Sequence, residues 1–128
     1  MKNILIIDDD VIIRITFKKL LDHGNYIIQQ AKDKKEAIQY LENQIYDLVL
    51  LDLRLPPTGW DAGFEILQKK RDLKLNSHTP VIIVSGARDR ETIKARTDIE
   101  DNIVEILSKP VENEVLLQKI EMVLGSKE

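Results

Sequence analysis

The sequence predicts an α/β domain: a doubly wound, five-stranded parallel sheet in the order 2-1-3-4-5, with five helices. Two observations carry this. Five short apolar runs alternate with stretches of helical periodicity: "ILII" (4–7), "YII" (26–28), "LVLL" (48–51), "VIIV" (81–84) and "VEIL" (104–107). Three of them are continuously apolar, the pattern of strands buried on both faces of a parallel sheet. A β-α unit repeated five times closes through right-handed crossovers and leaves helices on both faces.

Each segment between the runs has its own signals. After Asp10, apolar residues fall at Val11, Ile15 and Leu20–Leu21, and Gly24 is a stop signal. Asp33 is followed three residues later by Glu36, then Ala37, Ile38 and Leu41, which reads as a capping box opening helix two. Phe64 and Leu67 start a third helix, and the run Lys69–Lys70–Arg71 closes it with cations suited to a helix C-terminus. Asp89 caps a fourth helix, expected from Glu91 to Thr97. Leu116, Ile120, Val123 and Leu124 stripe the fifth, which Gly125 ends.

At 128 residues, the chain fits a single domain over residues 1–128 with a core of its own. Hydrophobic residues make up 43% and charged ones 32%, an ordinary globular balance. A net charge of -3 gives no pull toward nucleic acid or an anionic membrane. With no cysteine, thiolate catalysis, disulfides and Cys-based zinc sites are excluded. His23 and His78 have no metal-ligand spacing. No apolar run approaches the length of a membrane span, and the N-terminus enters a strand directly without a signal-peptide pattern. These features set the expectation of a cytoplasmic protein.

In an open α/β sheet, ligands sit outside the carboxyl ends of the strands. Asp8, Asp9 and Asp10 follow strand one, and Asp52 ends strand three. Ser85 follows strand four, and Ser108, Lys109 and Pro110 follow strand five. The strand order draws these into one pocket. Two carboxylates about 4 Å apart repel by about 1 kcal/mol in water and about 4 kcal/mol at intermediate dielectric. They share a proton or bind a cation. Oxygen donors without His or Cys suit Mg2+, which takes one or two carboxylates and a phosphate oxygen. A hydroxyl and an ammonium remain for the rest of a phosphoryl group, so the set reads as phosphoryl transfer to a carboxylate. Taken singly, each residue has a plainer reading as a turn, a cap or a loop; their coincidence at the strand ends is what points to a site.

With "ILIIDDD", "DLVLLDLRLP", "TPVIIVSG" and "SKP" in this order, the chain resembles the receiver domain of two-component response regulators, a flavodoxin-like fold, along essentially its whole length. The resemblance implies a phosphorylation-dependent switch. Asp52 would accept a phosphoryl group from a sensor histidine kinase or a histidine phosphotransfer protein. Mg2+ would be held by Asp8, Asp9 (the more direct ligand), Asp52 and the backbone carbonyl of Arg54. Ser85 and Lys109 would bind the phosphoryl group, and Pro110 would follow a cis peptide bond. No enzymatic activity is implied beyond Mg-dependent self-phosphorylation and self-dephosphorylation. Partners would be the phosphodonor, an output protein or domain the sequence does not name, and a second copy in a phosphorylation-dependent homodimer, with neither nucleic acid nor membrane bound directly. The methionine start favours an N-terminal position in whatever protein carries the domain.

The sequence departs from the family in four places. Ile106 stands where many receivers carry the Tyr or Phe whose rotamer couples phosphorylation to output. Six residues separate Pro56 from Gly63, a longer loop than usual, with Trp60 and Asp61 expected near the mouth of the pocket. "DIEDNIVEIL" replaces the usual Gly-Ala before strand five. Arg54 and Ala87 flank the site and are expected to set the lifetime of the phosphorylated state.

Three rivals compete. A phosphatase of the haloacid-dehalogenase type needs a second Asp where Arg54 stands. A flavodoxin needs a hydroxyl- and glycine-rich loop where three aspartates would repel a flavin phosphate. A phosphate-independent pseudo-receiver, a pure interaction module, is the serious alternative.

Overall fold

The computed structural model describes residues 1–55, 60–86, 91, 93 and 102–125, the side chains of Trp60 and Asp61 excepted. The elements are β1 (Lys2–Ile7), α1 (Val11–Leu21), β2 (Tyr26–Ala31), α2 (Lys34–Asn43), β3 (Leu48–Leu51), α3 (Trp60–Asp72), β4 (Val81–Gly86), β5 (Ile103–Lys109) and α4 (Asn113–Leu124). All strand pairs are parallel, in the order β2-β1-β3-β4-β5. Every apolar run that the sequence marks is a strand of this sheet.

Five helices are expected, and four are found among the described residues. The fourth expected helix, Glu91 to Thr97, lies outside the described residues apart from Glu91 and Ile93, both helical. Asp89, its expected cap, lies outside the described residues.

The central strands carry unbroken apolar stretches because the sheet has a core on each face. Leu5 and Ile7 of β1, Val49 and Leu51 of β3, and Val81 and Ile83 of β4 pack with Ala37, Leu41, Phe64 and Leu67 from α2 and α3. Their alternates, Ile4, Ile6, Leu48, Leu50, Ile82 and Val84, pack with Phe17, Leu21, Leu116 and Ile120 from α1 and α4. Successive side chains point to opposite faces, so both sets of alternates in these stretches are apolar. Each fully buried Leu, Ile or Val contributes about 1.5–3 kcal/mol, and this core is what holds the strand ends in place.

Strands run past their apolar stretches at several ends. β4 continues through Ser85 and Gly86, and β2 through Gln29 and Gln30. The backbone ladder does not read side-chain polarity, so a hydrophobic run marks a strand's burial rather than its length. β5 lies at an edge, is only partly buried, and slips register near Val104, where Val81 faces Ile103 but Ile82 faces Glu105. An irregularity of this kind discourages edge-to-edge pairing with another sheet.

Caps settle the helix starts. Asp10 accepts the Ile12 N–H at 2.9 Å as the N-cap of α1. Asp33 accepts the Glu36 N–H at 2.9 Å, while Glu36 reaches back to the Lys32 N–H at 2.9 Å. The expected reciprocal cap is present, displaced one residue outward on its return arm. Helix α3 begins at Trp60, earlier than Phe64, so Trp60 and Asp61 belong to its first turn rather than to the loop. Lys69, Lys70 and Arg71 occupy its last turn as expected, but Lys70 is buried while its neighbours are exposed. Gly125 ends α4 with a φ of 84°, a conformation that favours glycine.

A buried amide ties the opposite end of the sheet. Asn76 is 0% exposed. Its Nδ2 donates to the carbonyls of Leu41 and Gln44, both at 2.7 Å, and its Oδ1 accepts from the Tyr46 N–H at 2.9 Å and the Thr79 hydroxyl at 3.0 Å. One side chain thus joins the end of α2, the approach to β3 and the approach to β4.

Candidate functional site

Four strands deliver the site. β1 leads into Asp8, whose N–H extends the ladder to the Ala31 carbonyl at 3.0 Å. β3 leads into Asp52, whose N–H bonds the Ile7 carbonyl at 2.9 Å. Asp8 and Asp52 are therefore held by backbone bonds made just where their strands stop. β4 supplies Ser85, and β5 supplies Lys109, paired in register with Gly86. Asp8, Asp52 and Ser85 are buried, while Asp9 is exposed.

Lys109 joins the carboxylates. Its Nζ lies 2.9 Å from Asp8 Oδ2 and 3.2 Å from Asp52 Oδ2. The other Asp52 oxygen, Oδ1, accepts from the Arg54 N–H at 3.2 Å and, more distantly, from the Ser85 hydroxyl at 3.4 Å. The Lys109–Pro110 peptide bond is cis. Burial and then the neighbouring Asp8 charge push the Asp52 carboxyl above its ordinary value; Lys109 and the Arg54 N–H oppose this without cancelling it. For Lys109, burial disfavours the ammonium. The hydrogen bond to Asp8 and the charges of Asp52 and Asp8 together outweigh it, so Lys109 titrates above its ordinary value.

The donor set can be tested against a divalent cation. Carboxylate oxygens of Asp8, Asp9 and Asp52 all lie within 4.8 Å of one another. Such a group of hard oxygens, one of them on an exposed residue open to solvent, fits Mg2+, which keeps part of its water shell. Asp10, the third aspartate of the run, turns to its helix instead and caps α1.

Arg54 is exposed, between Leu53 and Leu55, which are buried. Ile106 is partly buried and packs against the core on the α2–α3 face. Ala87 and Pro56 lie outside the described residues.

Two contributors escape the sequence reading. Gly63 does more than open a helix: a Cβ there would stand 2.4 Å from the Cα of Leu53 and 2.5 Å from its carbonyl oxygen. The Gly63 N–H bonds that same oxygen at 3.1 Å. Only glycine lets α3 press onto the backbone next to Asp52. Arg14 is the second, its Nη1 donating to the Asp8 carbonyl at 2.6 Å. The one available signal was an arginine inside the otherwise apolar start of α1, "VIIRITF".

This sheet and this cluster are those of a receiver domain. The chain belongs to the response regulator receiver domain family, whose model matches residues 4–121. It is similar to the 3′,5′-cyclic-nucleotide phosphodiesterase regA of Dictyostelium discoideum, 35% identical over 96% of this chain and 15% of that protein. It is also similar to the response regulator ArlR of Staphylococcus saprophyticus, 33% identical over 97% of this chain and 53% of that one. The chain thus spans about half or less of the curated relatives it matches. Among solved structures, a CheY-like receiver domain protein from Methanospirillum hungatei superposes with a TM-score of 0.83 at 31% identity, covering 97% of this chain and 94% of that one. The response regulator TrrA of Thermotoga maritima, solved in complex with Mg2+ and BeF, gives a TM-score of 0.78 at 27% identity, covering 96% and 99%. Receiver domains of this family are phosphorylation-dependent signalling modules rather than enzymes acting on a separate substrate. Among the described residues, no helix is long and apolar enough to cross a membrane.

Proposed function

We propose that this chain is a switch in which Asp52 accepts a phosphoryl group from a phosphohistidine of a sensor kinase or phosphotransfer protein. The observation that carries the reading is the double contact of Lys109 with Asp8 and Asp52. A partly buried ammonium held between two carboxylates has the position needed to meet the charge that a new phosphoryl group would bring to Asp52. Ser85, already near Asp52 Oδ1, is the hydroxyl available to a phosphoryl oxygen.

Asp8, Asp9 and Asp52, with the Arg54 carbonyl, are the groups that would hold Mg2+. When bound, the ion would supply charge neutralisation between the acceptor carboxylate and the incoming phosphoryl group. The protein's own part is to hold Asp52 rigidly at the end of β3, to keep its Oδ1 oriented through the Arg54 N–H, and to present Lys109 from β5. Domain 1–128 acts as one unit in this reading, in the cytoplasm, and phosphorylation shifts its population toward a partner-binding state. Ile106 has no phenol to exchange hydrogen bonds, so the shift is carried by repacking against the core. Arg54 and Ala87 set how long the phosphoryl group survives.

The test is incubation with Mg2+ and a small phosphodonor, followed by mass spectrometry of the intact protein. A phosphoryl adduct is expected in the wild type and not in Asp52→Asn. Absence of an adduct with every donor would leave a phosphate-independent interaction module in its place.

A further inference from the structure

Asp8 is tied through four of its atoms. Its N–H bonds the Ala31 carbonyl, its Oδ1 accepts the Asp10 N–H at 2.9 Å, and its Oδ2 accepts Lys109. The fourth tie comes from α1. The Arg14 N–H bonds the Asp10 carbonyl at 3.1 Å, which seats Arg14 one turn into the helix, and its guanidinium folds back to the Asp8 carbonyl at 2.6 Å.

That carbonyl belongs to the peptide unit joining Asp8 to Asp9. A peptide unit is planar, so fixing its oxygen fixes the plane from which Asp9 departs. Asp9 is exposed, flanked by the ladder bond of Asp8 and the helix cap of Asp10. Its carboxylate still reaches within 4.8 Å of those of Asp8 and Asp52. The geometry points to Arg14 as a positioning residue: it locks the Asp8–Asp9 peptide so that Asp9 faces the cation site. This rests on the reading of Asp8, Asp9 and Asp52 as a Mg2+ site, and adds to it a residue that touches neither metal nor phosphoryl group.

Charge and positioning predict opposite signs. A guanidinium near a cation site repels the cation, so loss of Arg14 as a mere charge would tighten Mg2+ binding. Loss of Arg14 as a positioner loosens Asp9 and weakens it. Partners that orient a ligand typically cost 10–100-fold in metal affinity when removed, and about 10-fold is expected here because Asp8 keeps three other ties.

The experiment is a MgCl2 titration of the 15N-labelled full chain, read from the amide shifts of Asp9 and Asp10, on the wild type, Arg14→Ala and Arg14→Lys. Weaker binding by Arg14→Ala, with Arg14→Lys between it and the wild type, supports the proposal. Equal or tighter binding by a folded Arg14→Ala overturns it. Should Arg14→Ala not fold, Arg14→Lys decides: it keeps the charge but not the forked reach, so weaker binding supports positioning and wild-type affinity refutes it. A wild type that shows no Mg2+-dependent shifts sinks the cation-site reading itself, and the proposal with it.

Discussion

The ammonium of Lys109 stands 3.2 Å from Asp52 Oδ2 across a sequence separation of 57 residues. This pair sets the electrostatics of the site, yet it does not fully relieve Asp52, because burial and Asp8 weigh more. The Asp52 carboxyl titrates above its ordinary value in the folded protein.

A carboxyl raised on folding supports the native state fully only below its unfolded pKa, and that support is lost as pH rises through the folded pKa. Ionised Asp52 therefore destabilises the metal-free protein at neutral pH. Asp52→Asn is expected to melt at a higher temperature than the wild type at pH 7 in EDTA. The gap should close as the pH falls through the carboxylate range. Calorimetric Tm values across pH 3–7 check this; a lower Tm for Asp52→Asn at pH 7 would show that the Lys109 pair outweighs burial.

Gly63→Ala forces a methyl to within 2.4 Å of the Leu53 Cα, a backbone atom that cannot swing aside. Overpacking typically costs about 1–3 kcal/mol, and the upper end or beyond is expected here. Because Leu53 follows Asp52, the phosphoryl adduct should also form more slowly. Urea unfolding gives the first quantity and a time course of the intact mass gives the second. A stable variant with normal adduct formation would show that α3 can move without disturbing the site.

Asn76→Ala leaves the Tyr46 N–H and the carbonyls of Leu41 and Gln44 without their present partner in a buried place. Each such orphaned group costs about 1–3 kcal/mol, and partial relaxation makes a total loss of about 2–4 kcal/mol the expectation. Chemical denaturation measures it. The Asp9 and Asp10 amide shifts should hardly change, since Asn76 sits at the far end of the sheet.

Tyr46 is buried, and its hydroxyl donates to Gln29 Oε1. Burial first, then Tyr40, pushes its pKa up to about 12. Its contribution to stability is complete below about pH 10, where the unfolded phenol ionises, and is lost as pH rises toward 12. Tyr46→Phe is expected to flatten the fall in stability over that interval. Denaturation midpoints from pH 9 to 12 test this, and an unchanged slope in the variant would exclude Tyr46 as its source.

The sheet was legible because burial on two faces demands unbroken apolar runs, and β1, β3 and β4 supply them. Asp8, Asp9, Asp52, Ser85 and Lys109 were legible because those runs mark the strand ends, and the doubly wound fold that the motifs resemble supplies the strand order. Other features were hidden for definite reasons. Gly63 and Leu53 meet through backbone atoms, which carry no residue-type signal. Arg14 acts on a carbonyl, and any residue offers one. Lys70 looks like the exposed cations beside it, but the rotation of α3 turns it inward.

By itself, then, the sequence determined the α/β order, the parallel sheet and the five polar residues that gather at its carboxyl edge, because hydrophobic periodicity and strand ends are written in residue type. Tertiary structure alone decided which oxygen of which carboxylate Lys109 would meet, that Asp10 would turn to its helix while Asp8 and Asp9 join Asp52, and that a guanidinium would clamp the peptide between Asp8 and Asp9. Those outcomes depend on differences of a few tenths of an ångström in how elements are spaced, and only packing sets such spacings.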